Sequence, residues 1–116
     1  MNWEAALPYP PSVNHYWTRT ARGMRMTEAA STWKDEAILE LRKRRWEIAY
    51  PDHPLSIVVG VVFPDNRRRD LDNLLKGILD VVSTVLEVDD RMFYRVLIER
   101  IDIRAPGSLS IRVGEY

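Results

Sequence analysis

Polar and apolar positions along the chain fall into a few periodic runs. Trp3, Ala5, Leu7 and Tyr9 alternate with Asn2, Glu4, Ala6 and Pro8, the period of a half-buried strand that Pro10-Pro11 ends. Pro8 inside the run marks either an edge position or the strand's last residues. From Ser12 to Met26 the pattern is that of a loop, with a small hairpin turning at Ala21-Arg22-Gly23. Thr27 is a candidate N-cap, and Ala30, Trp33, Ala37, Ile38, Leu41 and Ile48 recur at helical spacing, predicting a long amphipathic helix from Glu28 to about Glu47. Tyr50 to Pro54 is a short connection stiffened by proline. Leu55, Ile57, Val59, Val61 and Phe63 alternate with Ser56, Val58, Gly60 and Val62, a strand apolar on nearly both faces and so central in its sheet.

A second helix begins near Asp72, with Leu71, Leu74, Leu75, Ile78, Val82 and Val85 as its core-facing stripe. Asp89-Asp90 follows in a loop, and Tyr94 to Ile103 is predicted as a strand whose change of face near Glu99-Arg100 marks a bulge. After the turn signal Ala105-Pro106-Gly107, Leu109, Ile111 and Val113 alternate with Ser108, Ser110 and Arg112. That is a final half-exposed strand, expected to pair antiparallel with its predecessor. The order β-(loop)-α-β-α-β-β predicts an α+β fold, a mixed sheet of about four to five strands with both helices packed on it, in one small domain over residues 1–116.

The chemistry concentrates where the central strand gives way to the second helix. Pro64-Asp65-Asn66-Arg67-Arg68-Arg69-Asp70-Leu71-Asp72-Asn73 precedes Lys76 and Asp80, and Asp89-Asp90 closes the stretch. Residues four apart stack on one helix face, so Asp72, Lys76 and Asp80 line up with Asn73 beside them. Each part has an ordinary explanation. Asp, Lys and Asp four apart form an ion-pair ladder on many exposed helices, and Asp72 could serve only as an N-cap. Together they say more: four or five carboxylates within about twenty residues repel one another unless a cation such as Mg²⁺ neutralises them. With arginines beside them, they make a candidate metal site for phosphodiesters.

Composition narrows the picture. With 46% hydrophobic and 29% charged residues the chain has an ordinary globular composition, without a membrane-length apolar run or a signal-peptide pattern, and the cytoplasm is the expected location. Zero cysteines exclude disulfides and thiol chemistry, and His15 and His53 stand alone, without partners for a histidine metal site or a Ser-His-Asp arrangement. The net charge of +0 hides a division between the acidic stretch and basic groups at Arg19 to Arg25, Lys43 to Arg45 and Arg67 to Arg69. Arg19, Arg22 and Arg25, interleaved with His15, Tyr16 and Trp17, suit phosphate contact and stacking on exposed bases. The run Arg42 to Arg45 is better explained as a solvated helix end favoured by the helix dipole.

Asp70-x-Asp72-Asn73-x-x-Lys76-x-x-x-Asp80, then Asp89-Asp90, with Arg67-Arg68-Arg69 before it and Pro10-Pro11-Ser12-x-Asn14 near the N-terminus, resembles the RusA-type Holliday junction resolvases. The resemblance covers nearly the whole chain. It implies a homodimeric endonuclease, dependent on Mg²⁺ with Mn²⁺ as a substitute, that cuts four-way DNA junctions by paired symmetric nicks. It implies Asp70, Asp72 and Asp90 as essential carboxylates holding the metal with help from Asp89, and Lys76 as the essential cation. Asn73 and Asp80 would support them, Asp80 as a partner for Lys76, and Arg67, Arg68 and Arg69 would hold the flanking phosphates. Two other classes fit the residues less fully: a module that binds junctions or single strands without cutting, and a metal-dependent nucleotide phosphohydrolase.

Overall fold

The alternating run near the N-terminus folds as strand β1, Trp3–Pro8, with Trp3, Ala5 and Leu7 buried and the residues between them exposed in the computed structural model. The structure describes residues 3–11, 17–44 and 53–116. Strands β2 (Trp17–Thr20) and β3 (Gly23–Met26) form a separate two-stranded ribbon, so the expected hairpin is present and turns at Ala21-Arg22. Thr20 Oγ1 closes that turn, donating to the carbonyl of Gly23 at 2.9 Å, while Gly23 takes a φ of 112° that a side chain would resist.

Helix α1 spans Glu28–Lys43, and the hydroxyl of Thr27 caps it by accepting the Ala30 N–H at 3.2 Å. Ala30, Trp33, Ala37 and Leu41 are its buried stripe. The helix stops short of the expected Glu47, because Arg44 turns extended (φ −83°, ψ 115°) and points its N–H at the Leu41 carbonyl. Leu41 is the last buried residue of the helix. Residues 45–52, with Ile48 and the Tyr50-Pro51-Asp52 connection, lie outside the described residues. Trp33 Nε1 donates to the Pro8 carbonyl at 2.8 Å, which ties α1 to the end of β1 and fixes where Pro10-Pro11 leaves the sheet.

Strand β4 (Leu55–Phe63) is central, as its double-sided apolar pattern requires: β5 (Phe93–Ile103) pairs parallel on one side and β6 (Ser108–Glu115) antiparallel on the other. The sheet order is β1-β6-β4-β5, which puts β1 and its Pro8 at one edge and β5 at the other. The last strand therefore does not pair with its predecessor. The Arg104 N–H donates to the Phe63 carbonyl at 2.8 Å, so the chain crosses the end of β4 before β6 begins. Burial explains that placement, since Leu109, Ile111 and Val113 are at most 2% exposed and need core on both flanks. The predicted bulge in β5 is present as a register shift where Arg100 and Asp102 face Val61 and Val62, leaving Ile101 over.

Helix α2, Asp72–Leu86, adds Val81 and Leu86 to the expected stripe and joins α1 in the one core cluster over the sheet. The fold is α+β, with the predicted element order and a mixed four-stranded sheet. Among the described residues no helix is long and apolar enough to cross a membrane.

Candidate active site

Pro64 ends β4, and the loop after it is organised by Asp65. Its Oδ1 accepts the Arg67 backbone N–H at 2.9 Å, and the Arg69 guanidinium donates to both of its oxygens, Nη2 to Oδ2 at 3.1 Å. The Arg69 hydrogen bonds, and after them the Arg67 N–H, hold the Asp65 carboxyl down at about 2. Arg69 also lies 6.0 Å from the Tyr9 ring centroid, and Tyr9 packs on Phe63 with centroids 5.9 Å apart. Burial is the main cause that raises the Tyr9 phenol above its usual range. The loop leading to α2 is thus clamped to the end of the sheet.

This clamp divides the three arginines that the sequence presents as one group. Arg69 is only 23% exposed and committed to Asp65, and the exposed Arg67 side chain also bends toward it, Nε to Oδ2 at 3.7 Å. Arg68 is exposed and makes no ion pair among the described residues.

Leu71 is the N-cap of α2 but has helical backbone angles and no side-chain cap, so Asp72 is the first helical residue and not the cap. Its carboxylate stands in the first turn, where the helix dipole favours it. Asp70 and Asp72 are exposed, and neither is paired with a cation. One turn on, Lys76 shares a cleft with Asn73, Leu74, Gly77 and Asp80 of α2, closed on the other side by Pro10, Pro11 and Trp17. Lys76 and Asp80 line that cleft without an ion pair between them, contrary to the expected pairing of Asp80 with Lys76.

Asp80 also borders a second, open depression with Ser83, Thr84, Val88, Asp89 and Asp90, which Lys34 of α1 completes. Asp89 is the N-cap of a single 3-10 turn, Asp90–Met92, and its Oδ1 accepts the Arg91 N–H at 3.0 Å. That backbone hydrogen bond is the main reason its carboxyl lies below the usual range. Asp72 and Asp80 are eight residues apart on α2, about 12 Å along the axis. Asp70 and Asp72 therefore form one acidic pair, and Asp89 and Asp90 another beside the later turns of the helix.

The donor set fits a hard divalent cation in kind, since the exposed groups are carboxylates and an amide without a soft ligand among them. Among the described residues, however, no three such side chains are gathered as a metal would need.

The hairpin arginines are not brought together either. Arg19 pairs with Met24 and shares a ribbon face with Trp17 and Met26, while Arg25 pairs with Thr18 on the opposite face and Arg22 sits in the turn. His15, Tyr16, Ser12 and Asn14 lie outside the described residues, and His53 is exposed. Three participants escape a reading of the sequence. Asp65 has a usable signal, an aspartate after proline and two residues before the amide that it accepts. Lys34 has none, because only the packing of α1 on α2 brings it to the acidic residues, whereas the partnerless buried hydroxyl of Ser83 follows Asp80 by one turn on α2.

Comparison with known proteins places the chain in a nuclease family. The family model described as endodeoxyribonuclease RusA matches residues 8–113, and the chain belongs to that family. Among its relatives, the crossover junction endodeoxyribonuclease rusA of Enterobacteria phage HK97 is 33% identical over 97% of this chain and 94% of its own length. The crossover junction endodeoxyribonuclease RusA of Escherichia coli strain K12 and that of Enterobacteria phage 82 are each 25% identical over the same shares.

Proposed function

We propose that residues 1–116 form a structure-selective DNA endonuclease that resolves four-way junctions by paired symmetric nicks, acting in the cytoplasm as a homodimer. Membership in the RusA family supports the reaction class. The observation that carries the assignment to residues is that Asp70, Asp72 and Lys76 are exposed at the start of α2 without ion pairs. No ion pair of the fold takes them up, which leaves them open to a ligand.

Asp70, Asp72 and Asp90, assisted by Asp89, would hold Mg²⁺, with Mn²⁺ as a substitute. Such a cation supplies Lewis acidity at a scissile phosphate. The ammonium of Lys76, one helical turn from Asp72, stabilises charge that develops on the phosphate during hydrolysis. Asn73 offers an amide that orients a carboxylate or a water beside it, and Asp80 borders both depressions as an acceptor. Arg68 holds a flanking phosphate directly, Arg67 adds charge beside it, and Arg69 acts through Asp65 by holding the loop in place. Arg19, Arg22 and Arg25 extend the contact along the hairpin. A twofold dimer supplies two equivalent sites for two cuts related by symmetry.

The test is incubation of a fixed and a mobile four-way junction with the protein, in Mg²⁺ and in chelator. Symmetric nicks in the mobile junction that need Mg²⁺ are the expected result. Uncut junctions in Mg²⁺ despite binding would leave a non-cleaving module, and turnover of nucleotides alone would leave a phosphohydrolase.

A further inference from the structure

The two edges of the sheet are protected very differently. β1 is short and carries Pro8, which blunts it against further pairing. β5 runs for eleven residues without proline, glycine or lysine, and among the described residues it pairs only with β4, which leaves its other edge unpaired there. Of the nine exposed large hydrophobic residues among those described, five lie on this strand: Tyr94, Val96, Leu97, Ile101 and Ile103. A sixth, Tyr116, packs on Tyr94 with centroids 5.6 Å apart. Scattered exposed apolar residues are ordinary, but this concentration beside unpaired backbone groups marks an interface.

The charges on β5 say what covers it. Register shifts leave Arg95–Arg100 as its regular stretch, in which Arg95, Leu97 and Glu99 share the sheet face opposite the helices with their neighbours Ser56, Val58 and Gly60. Arg95 and Glu99 are exposed and have no ion-pair partner among the described residues. A twofold axis normal to the sheet preserves the alternation of side chains only where it passes through a residue. At Val96 it sets Arg95 opposite Leu97, at Ile98 it sets Leu97 opposite Glu99, and at Glu99 it sets that carboxylate against its own copy. Only at Leu97 does it set opposite charges face to face, Arg95 against Glu99, twice.

We propose that β5 is the dimer edge: two copies pair β5 to β5 antiparallel about a twofold axis at Leu97, joining two four-stranded sheets into one of eight, with Arg95 of each copy opposite Glu99 of the other. This gives the homodimer of the proposed function a specific interface, and its test reads mass, so it can fail while junction cleavage stands.

The full chain and its Arg95→Glu, Glu99→Arg and doubly exchanged variants are compared by sedimentation, with circular dichroism as the folding control. The parent is expected to be dimeric at micromolar concentration. Each single reversal turns two attractive pairs into repulsive ones and should weaken the dimer roughly tenfold or more. The double exchange should restore it, and an equimolar mixture of the two single variants should form a heterodimer, because every opposed pair is then complementary. A monomeric parent at high concentration, folded single variants that dimerise like the parent, or a folded double exchange that fails to recover would each overturn this interface.

Discussion

Replacing Lys76 with Met separates catalysis from stability at the centre of the proposed site. Lys76 is exposed on α2, lines the cleft with Asn73 and Asp80, and makes no ion pair with Asp72 or Asp80. Removing its charge therefore breaks no bridge, and methionine keeps the apolar stem against the cleft. Stability should change by less than about 0.5 kcal/mol, the scale of exposed helix pairs, which shifts Tm by under about 4 °C in a small domain. If the ammonium stabilises charge in the transition state, its loss should cost roughly 2.7–4 kcal/mol in the barrier, or about a hundred- to a thousandfold in rate, by analogy with removal of other preorganised donors. Junction affinity should change little, because the interaction strengthens mainly as the reaction proceeds. The assay is single-turnover cleavage of a mobile junction at saturating enzyme and Mg²⁺, with gel-shift titration and a melting curve on the same preparation. A rate within about threefold of the parent, a barrier change under roughly 0.7 kcal/mol, would refute the role given to Lys76.

Asp70→Asn should abolish cleavage while leaving junction binding nearly unchanged, and normal nicking by the purified variant would remove Asp70 from the site. Arg68→Ala should weaken junction binding and lower the salt dependence of log K by about one phosphate contact; an unchanged slope across a salt titration would show that Arg68 touches no phosphate. The Asp65 carboxyl is depressed from 3.8 to about 2 in the folded protein, so its contribution to stability is complete above about 3.8 and is lost as pH falls through about 2. An NMR titration of that carboxyl in the folded state should give a midpoint near the lower value, and one near 3.8 would mean that the Arg69 clamp is open in solution. Glu87 ends α2 with a φ of 56°, a conformation that glycine adopts without strain. Glu87→Gly should stabilise the protein by up to about 1 kcal/mol, and a lower melting temperature would show that strain does not dominate there.

Which elements exist, and their order, could be read from the sequence because both depend on local periodicity. The strand Leu55 to Phe63 declared itself central by being apolar on both faces, and its pairing with β5 and β6 agrees. Pro8 marked an edge or a strand end for a reason equally local, its missing N–H. The partner of the last strand could not be read in this way. A turn at Ala105-Pro106-Gly107 suits a hairpin, but the Arg104 N–H is taken by Phe63, and the chain passes over β4 to a slot where Leu109, Ile111 and Val113 are covered on both flanks. Pairing here follows from burial in three dimensions, which alternation alone does not encode. The end of α1 was missed because periodicity continued past Leu41 while the backbone turns extended at Arg44, a change that side-chain spacing does not encode.

The candidate site divides along the same line. Asp70, Asp72, Asn73 and Lys76 are neighbours in sequence and fall on one exposed stretch as their spacing requires, whereas the three arginines before them look alike in sequence and behave differently: Arg69 grips Asp65 by two hydrogen bonds and lies over Tyr9, Arg67 only approaches Asp65, and Arg68 pairs with neither. The pattern of pairing across the molecule gives the assignment its force. This chain closes some exposed ion pairs, Arg112 with Glu4 at 2.9 Å, Arg104 with Asp102 at 2.6 Å and Lys43 with Glu40 at 3.5 Å, and leaves others open, Arg95 and Glu99 among them. On the first turns of α2 it closes none among the described residues, although Lys76 stands four residues from an aspartate on either side. Asp70 beside Asp72, unneutralised, is mildly destabilising by Coulomb repulsion, and an unpaired lysine between two aspartates forgoes a few tenths of a kcal/mol at each spacing. Charges held apart at some cost to the fold are charges available to a ligand, and a phosphodiester with its counter-cation is the ligand that answers both signs at once.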